Sequence, residues 1–389
     1  MTSPSSRILS YLQSQQENFV HFLYRLVNSE SPSSEPAAQL PIFALLENEL
    51  LKLDYKVHRI PGFRTAGSLY ARPRRRPRGQ AVQLLLGHCD TVWPLGTIQD
   101  MPLEISDGIM KGPGVFDMKA GLTQMIFALQ TVKALKLKPS VTPVLLITSD
   151  EEIGSNESRR YIRHLSRRVN RVFVLEPALS LSGKLKTARK GVGHFNVRVI
   201  GKAAHAGIAP EQGASAILEL SHVIQQLFAL NDPEKGITVN VGTIDGGVRA
   251  NVIAPVSCAS VDVRMRSADD GYRIEQTILN LKPATPGVSL DIKGGIERLP
   301  MTRTPRNQKL WFAAKELAKK MGINLEQGIS GGASDGNLTS IYAATLDGLG
   351  AVGDGAHAHH EFVDIEKTIL RCALLTMLLL EPPEAPSPE

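Results

Sequence analysis

Ala81-Val82-Gln83-Leu84-Leu85-Leu86-Gly87-His88-Cys89-Asp90-Thr91-Val92 is the stretch that decides the fold. A short apolar run without polar alternation reads as a strand covered on both faces, as in the parallel sheet of an α/β protein. This one ends in a histidine and an aspartate two residues apart. Two more runs behave alike: 143–148 leads into Ser149-Asp150-Glu151-Glu152-Ile153-Gly154, and 171–175 leads into Glu176-Pro177. Between the first two, residues 118–135 set Leu122, Met125, Ile126, Leu129 and Val132 at helical spacing, the crossover that parallel neighbours require.

Working outward, the pattern changes near Lys186. Residues 195–200, 237–241 and 259–263 alternate or are β-rich, and 215–230 is helical, which predicts a separate small α+β domain. A helical pattern returns at 310–321, and the apolar run 372–380 predicts a buried helix. That run has nine residues against the roughly 20 a spanning helix needs. Residues 381–389, rich in proline and glutamate, predict a loose tail, and 9–20 carries too many glutamines for a signal-peptide core. Arg72, Arg74, Arg75, Arg76 and Arg78, interleaved with Pro73 and Pro77, read as a solvated hairpin loop.

With 389 residues, 42% of them hydrophobic, the chain holds material for a large core or two domains. Its 44 lysines and arginines against 38 acidic residues leave a net charge of +6, which does not require nucleic acid as a partner, and the short apolar run 372–380 gives no reason to expect a membrane partner. Cys89, Cys258 and Cys372 show no CxxC spacing and too few members for a disulfide framework, so a reduced, cytoplasmic setting is expected.

In open α/β sheets, ligands collect beyond the carboxyl ends of the strands, and here each run ends in residues able to hold a metal. Hydrolytic metal sites use imidazole and carboxylate ligands, and two metals need a carboxylate that bridges them. Asp117, in Gly112-Pro113-Gly114-Val115-Phe116-Asp117-Met118-Lys119-Ala120-Gly121, is the bridge candidate, although alone it would read as a helix N-cap. Neighbouring Glu151 and Glu152 point apart, so one can bind metal while the other serves as general base. A second imidazole is available from His357, His359 or His360, and Asp90 can orient His88 through its other ring nitrogen.

HCDTV, GPGVFDMKAG, DEEIG, LEP, GKAAHAG, RANVIAP, VDVRM, GGASDG and HAHHEFV, collinear over about 80–365, resemble the two-zinc exopeptidase and amidohydrolase family. Its members include glutamate carboxypeptidases of the carboxypeptidase G type, aminoacylases, acetylornithine deacetylases and succinyl-diaminopimelate desuccinylases. The resemblance implies a three-layer α/β catalytic domain of the zinc-exopeptidase kind, formed by 1–186 and 299–389. An inserted ferredoxin-like α+β lid over 187–298 would serve dimerisation. It further implies two Zn2+ per subunit, with Co2+ or Mn2+ as substitutes, held by His88 and Glu176 on one side and Glu152 and His357 on the other. Asp117 would bridge them, followed by a cis peptide to Met118. Glu151 would act as general base and Asp90 as the partner of His88. From the lid, His205 would stabilise an oxyanion in the neighbouring subunit, Asn251 would hold a carbonyl, and Arg264 a terminal carboxylate; Lys184 would touch substrate as well. The implied substrate is a small peptide or N-acyl amino acid cleaved beside a C-terminal residue, glutamate foremost, with N-acyl-amino-acid deacylation as the alternative.

One rival motif is present. Gly328-Ile329-Ser330-Gly331-Gly332 matches a GxSxG nucleophile elbow, with Asp347 or Asp354 and then His357 following, but Asn324-Leu325-Glu326-Gln327 is a poor preceding strand.

Overall fold

The computed structural model describes residues 3–77 and 79–383, so Arg78 and the last six residues of the proposed tail lie outside the described residues. The chain divides into two compact units: Met1–Thr187 with Arg303–Ile329 and Ser334–Glu389, and Ala188–Thr302 with Ser330–Ala333.

The larger unit is built on a six-stranded sheet: β1 (Tyr55–Ile60), β2 (Ser68–Pro73), β3 (Val82–His88), β4 (Thr142–Thr148), β5 (Arg171–Val174) and β6 (Ala344–Leu346). Their order in space is β1-β2-β4-β3-β5-β6. Strands β4, β3, β5 and β6 run parallel, with Val82 opposite Thr142 and His88 opposite Thr148, whereas β1 and β2 close one side antiparallel. The period of two divides each run between two cores. Leu85, Leu145, Ile147 and Phe173 join the core made with α1 (Pro4–Ser14), α2 (Gln16–Asn28), α3 (Pro36–Lys52), α4 (Ala120–Ala134), α6 (Pro305–Lys320) and α7 (Ile365–Leu380). Leu84, Leu86, Val144, Leu146, Val172 and Val174 face the other way and pack with Ile162 of α5 (Arg159–Ser166). Three layers result, and every residue of β3 and β4 is buried.

The three α/β runs stand in the sheet where the apolar pattern puts them. Strand β6 pairs in parallel with β5, so the segment beyond 303 returns to the same sheet. The buried helix at the chain's end starts earlier than its most apolar stretch, because Asp364 caps α7 by accepting from the Lys367 N–H. Hydrophobic periodicity did not single out the smaller four-stranded sheet, Glu104–Ser106, Ile109–Lys111, Gly353–Asp354 and Phe362–Asp364. Its strands have two or three residues, too few for a period to show.

The smaller unit runs β-α-β-β-α-β: Gly191–Ile200, Ala216–Phe228, Thr238–Gly246, Val256–Met265, Ala268–Leu279 and Ser289–Arg298. The second, third, first and fourth strands lie side by side and antiparallel, the ferredoxin-like arrangement. Phe195, Val197, Val199, Val261 and Val263 alternate onto the helices Ala216–Phe228 and Ala268–Leu279, where Leu220, Val223, Leu227, Ile274 and Ile278 meet them. His194, Asn196 and Arg198 occupy the opposite, solvent-facing side. The boundaries 188 and 302 compare with the expected 187 and 298, and the short segment 330–333 also joins this unit.

Candidate metal centre

Parallel strands all end on one side, so the residues leaving β3, β4 and β5 converge without help from the loops. His88 is the last residue of β3, Glu151 and Glu152 follow β4, and Glu176 follows β5. The hairpin joining Gly353–Asp354 to Phe362–Asp364 carries His357 to the same place, since Phe362–Asp364 also pairs with Ile109–Lys111 ahead of the Asp117 turn.

That turn is held by one carboxylate. Glu361, fully buried, accepts from the N–H groups of Phe116 (2.9 Å) and Asp117 (3.0 Å) with one oxygen. Its other oxygen accepts from Gly114 N–H (2.8 Å) and the Trp93 indole (2.9 Å). Gly114 has φ 72°, and a Cβ there would lie 2.5 Å from the Thr91 methyl, so both backbone and packing demand glycine. The Asp117–Met118 peptide is cis.

Asp117 faces two imidazoles. Its Oδ1 lies 3.3 Å from His88 Nε2, and its Oδ2 lies 3.6 Å from His357 Nε2. Glu176 Oε1 stands 3.4 Å from His88 Nε2, and Glu152 Oε2 stands 3.2 Å from His357 Nε2. Two half-sites thus share one carboxylate. Ligand atoms of His88, Glu151 and Glu176 also lie within 4.8 Å of one another, as do those of His88, Asp117 and Glu152. Of the three candidate histidines, His357 turns to the carboxylates, with its backbone in the left-handed region at φ 61°, rare for a non-glycine residue. His359 lies against the Trp93 ring, 5.4 Å between centroids.

Asp90 contributes differently from the expectation. The His88 Nδ1 N–H is donated to the Asp90 main-chain carbonyl at 3.0 Å, and the Asp90 carboxylate is farther, at 3.5 Å. This hydrogen bond turns Nε2 toward Asp117 and Glu176. The carboxylate instead accepts from the backbone N–H groups of Glu151 (3.2 Å) and Glu152 (3.1 Å) and from the Ser33 hydroxyl (2.7 Å). One buried aspartate therefore ties the β3 ligand to the β4 ligands.

The electrostatics of the cluster call for cations. Burial pulls the His88 imidazole down, but the facing carboxylates of Asp117, Asp90 and Glu176 outweigh it and leave His88 well above the ordinary histidine range. Hydrogen bonds to Asp117 and Glu152 push His357 up to about 10. Glu152 is raised to about 7, chiefly by burial, against the His357 hydrogen bond that lowers it. Asp117 Oδ1 and Glu152 Oε1 are buried without a hydrogen-bond partner, a costly state that a cation between the half-sites would relieve. Imidazole nitrogens with three carboxylates form a donor set suited to hydrolytic divalent metals.

Lys186, overlooked in the sequence, is buried with its Nζ 4.0 Å from Glu176 Oε2. Lys184, two residues earlier, is ion-paired to Glu326 at 2.7 Å. Lys119 is buried as well: its ammonium donates to the Ser29 carbonyl at 3.0 Å, and burial pulls it down to about 8 despite the opposing charge of Glu361. Glu361 stands four residues after His357, the spacing the family resemblance carries for its ligand histidine, whereas Trp93 lies in no motif that marks its bond to Glu361. In the smaller unit, a β-bridge between His205 and Val252 sets His205 beside Asn251, whose carbonyl accepts from the Ala206 N–H at 3.0 Å. Arg264 forms a two-pronged pair with Asp262, at 2.8 and 2.9 Å. Ser330 lies within the strand Gln327–Ser330, its hydroxyl donating to the Gly332 carbonyl at 3.1 Å, which is not the strand-to-helix turn an elbow needs.

Residues 84–381 match the model of peptidase family M20/M25/M40. The chain belongs to this family. Among its relatives, carboxypeptidase G2 of Pseudomonas sp. strain RS-16 is 25% identical over 378 residues, covering 94% of this chain and 90% of that one. A succinyl-diaminopimelate desuccinylase of Roseobacter denitrificans is 26% identical over 319 residues, covering 76% and 81%. The crystal structure of aminopeptidase PepT from Bacillus cereus shares the fold, with a TM-score of 0.76 at 22% identity over 94% of this chain and 98% of that one. As an M20/M25/M40 member the chain is a metal-dependent hydrolase, with both carboxypeptidases and desuccinylases among its relatives.

Proposed function

We propose that the protein is a two-zinc metallocarboxypeptidase that hydrolyses the amide bond joining an acyl or peptidyl group to a C-terminal amino acid, glutamate foremost. The observation that carries this reading is the sharing of Asp117 between His88 and His357, each with its own glutamate. In it, His88 and Glu176 would hold one Zn2+ and Glu152 and His357 the other, with Asp117 shared between them; Co2+ or Mn2+ would substitute. The metal pair, when bound, supplies Lewis acidity that polarises a carbonyl and acidifies a water. Glu151 removes the proton of the attacking water and delivers it to the leaving amine. Asp90, through the Glu151 N–H and the His88 ring, keeps base and ligand in place. His205 donates to the developing oxyanion in the neighbouring subunit, Asn251 holds the substrate carbonyl, Arg264 engages its terminal carboxylate, and Lys184 touches substrate.

The likeness to carboxypeptidase G2 over nearly the whole chain supports the carboxypeptidase branch. The likeness to a desuccinylase favours a second reading, an N-acyl-amino-acid deacylase that uses the same residues. A homodimer through the lid forms part of the proposal. Its support is the exposed apolar side chains on that unit, Leu218 and Phe228 about half exposed and Ile244 and Val248 about two thirds exposed, together with the sheet edge at Thr238–Gly246. The three cysteines are free, in keeping with a reduced, cytoplasmic setting, and no helix among the described residues is long and apolar enough to cross a membrane. The reading includes neither nucleic acid nor membrane as a partner.

The test is glutamate release from N-acyl-glutamates and short peptides by zinc-loaded protein, beside Glu151→Gln. Turnover that favours C-terminal glutamate and falls about 10²–10⁴-fold in the variant is expected. Cleavage confined to other N-acyl amino acids would move the protein to the deacylase reading.

A further inference from the structure

Arginines crowd one side of the larger unit away from the metal cluster. Arg160, Arg163, Arg167 and Arg168 stand on or just beyond α5, and none has a carboxylate partner among the described residues; tyrosines and a histidine take that place. Arg160 donates to the Tyr161 hydroxyl at 2.6 Å and lies over its ring. Arg163 and Arg167 both reach the Tyr342 hydroxyl, and Arg168 sits 3.1 Å from His164 Nδ1 and 3.0 Å from the His164 carbonyl. Like charges held together in this way repel, and a bound anion would relieve the repulsion.

Beside them a cavity of about 370 Å³ opens between α5 and the sheet. Its floor includes Val82 of β3 and Val144 of β4, its walls include the rings of Tyr70 and Tyr161, and Arg76 and Arg168 line it with charge. Arg76 is tethered by its own bond to the Gln80 carbonyl at 3.1 Å, so this part of the arginine-proline loop is a cavity wall as well as a solvated turn. Arg76 and Arg168 lie in the connections that enter β3 and β5. His88 and Glu176 lie where those strands leave, and the seven residues of β3 span about 20 Å. The volume matches a small-ligand site, and the lining combines an apolar floor, aromatic walls and two arginines, residues that suit a carboxylate or phosphate.

We infer that this cavity is a second, non-catalytic binding site for a small organic anion, a single ring or comparable apolar body bearing a carboxylate or phosphate head. The body lies on Val82 and Val144 between the two tyrosines, and the head meets Arg76 and Arg168.

Calorimetry on the metal-loaded full chain tests this with phenyl phosphate, benzoate, inorganic phosphate and benzyl alcohol, beside Arg76→Gln, Arg168→Gln and the double variant. At least one of the two ring-bearing anions should bind ten or more times tighter than both inorganic phosphate and benzyl alcohol, and the tighter of the two identifies the head group. The double variant should lose at least tenfold in that affinity while its hydrolytic turnover stays unchanged, which separates this site from anion binding at the metal cluster. Tyr161→Leu should weaken the ring-bearing anions and leave inorganic phosphate unaffected. Equal binding by wild type and double variant overturns the proposal. So does tight binding of poly-L-glutamate that phenyl phosphate fails to displace, since the arginines would then form an open polyanion surface.

Discussion

The two ends of the central sheet treat charge in opposite ways. Where β3, β4 and β5 leave the sheet, Asp90, Asp117, Glu152, Glu176 and Glu361 are largely withdrawn from water, and their oxygens are fixed by backbone N–H groups or aimed at the imidazoles of His88 and His357. At the entering end, arginines remain solvated and rest on tyrosine hydroxyls and rings. Burying several like charges is tolerable only with compensation, so the acidic end calls for cations, whereas at the basic end water already screens much of the repulsion and an anion would relieve the rest. The first arrangement identifies a site because it is expensive, and the second only where a cavity accompanies it.

The comparison breaks most visibly at Asp117. Asp117→Asn removes charge from both half-sites at once, and metal content by elemental analysis and turnover should both collapse, by more than the roughly 10–100-fold typical of losing a supporting residue. Stripping metal from the wild type with a chelator should lower its melting temperature as well, because ligand held at 100 times its dissociation constant contributes about 2.7 kcal/mol to the folded state. A chelator-insensitive enzyme would sink the cation argument.

Glu361→Gln should fall within that 10–100-fold range of metal affinity. A glutamine must turn its NH2 toward either the Phe116 and Asp117 N–H pair or the Gly114 and Trp93 pair, setting donor against donor. Trp93→Phe removes one donor only and should retain near-normal metal binding. If the two variants behave alike in metal titration, Glu361 does not position the bridge.

Glu219 sharpens the contrast, because it is a buried carboxylate that needs no cation. Its oxygens accept from the N–H groups of Ala284 (3.0 and 3.1 Å) and Thr285 (2.6 Å) in the lid. Burial pushes its pKa up, and these bonds more than offset that, holding it below the usual glutamate range. Glu219→Gln should cost about 1–3 kcal/mol at neutral pH with no change in metal content. A lowered folded pKa stabilises above the unfolded value, about 4.3, and that stabilisation fades as pH falls through the folded value. The melting-temperature gap between wild type and variant should therefore close in acid; a gap that widens would reverse the assignment.

Arg163→Gln marks the small end of the scale. Its partner is a tyrosine hydroxyl at 3.3 Å on an exposed face, and stability should stay within about 0.5 kcal/mol with turnover intact.

Much of this was legible before folding. The unalternating runs ending at Leu86, Thr148 and Leu175 marked parallel strands, and the acidic and histidine residues after them marked the ligand end, because covering a strand on both faces leaves a plain trace in sequence. His88, Glu152 and Glu176 come together for that reason, whereas Asp117 and His357 reach them through a turn and a hairpin. Less legible were Glu361, Trp93, Ser33 and Lys186, whose contribution is a hydrogen bond or a charge delivered across a long loop, with no local pattern to announce it.

The chain's sequence by itself determined the alternation of strand and helix, the two-fold division of the apolar residues between layers, and the chemical types available at the strand ends. The tertiary structure alone decided that Asp90 offers its carbonyl to His88 and its carboxylate to the following loop, that Glu361 holds the Asp117 turn, and that two stretches of arginine border one cavity. Periodicity is a property of neighbours along the chain. Hydrogen-bond geometry and the meeting of charges depend on distances that exist only once the short hairpin at 353–364 has paired with 109–111 and the parallel strands have aligned.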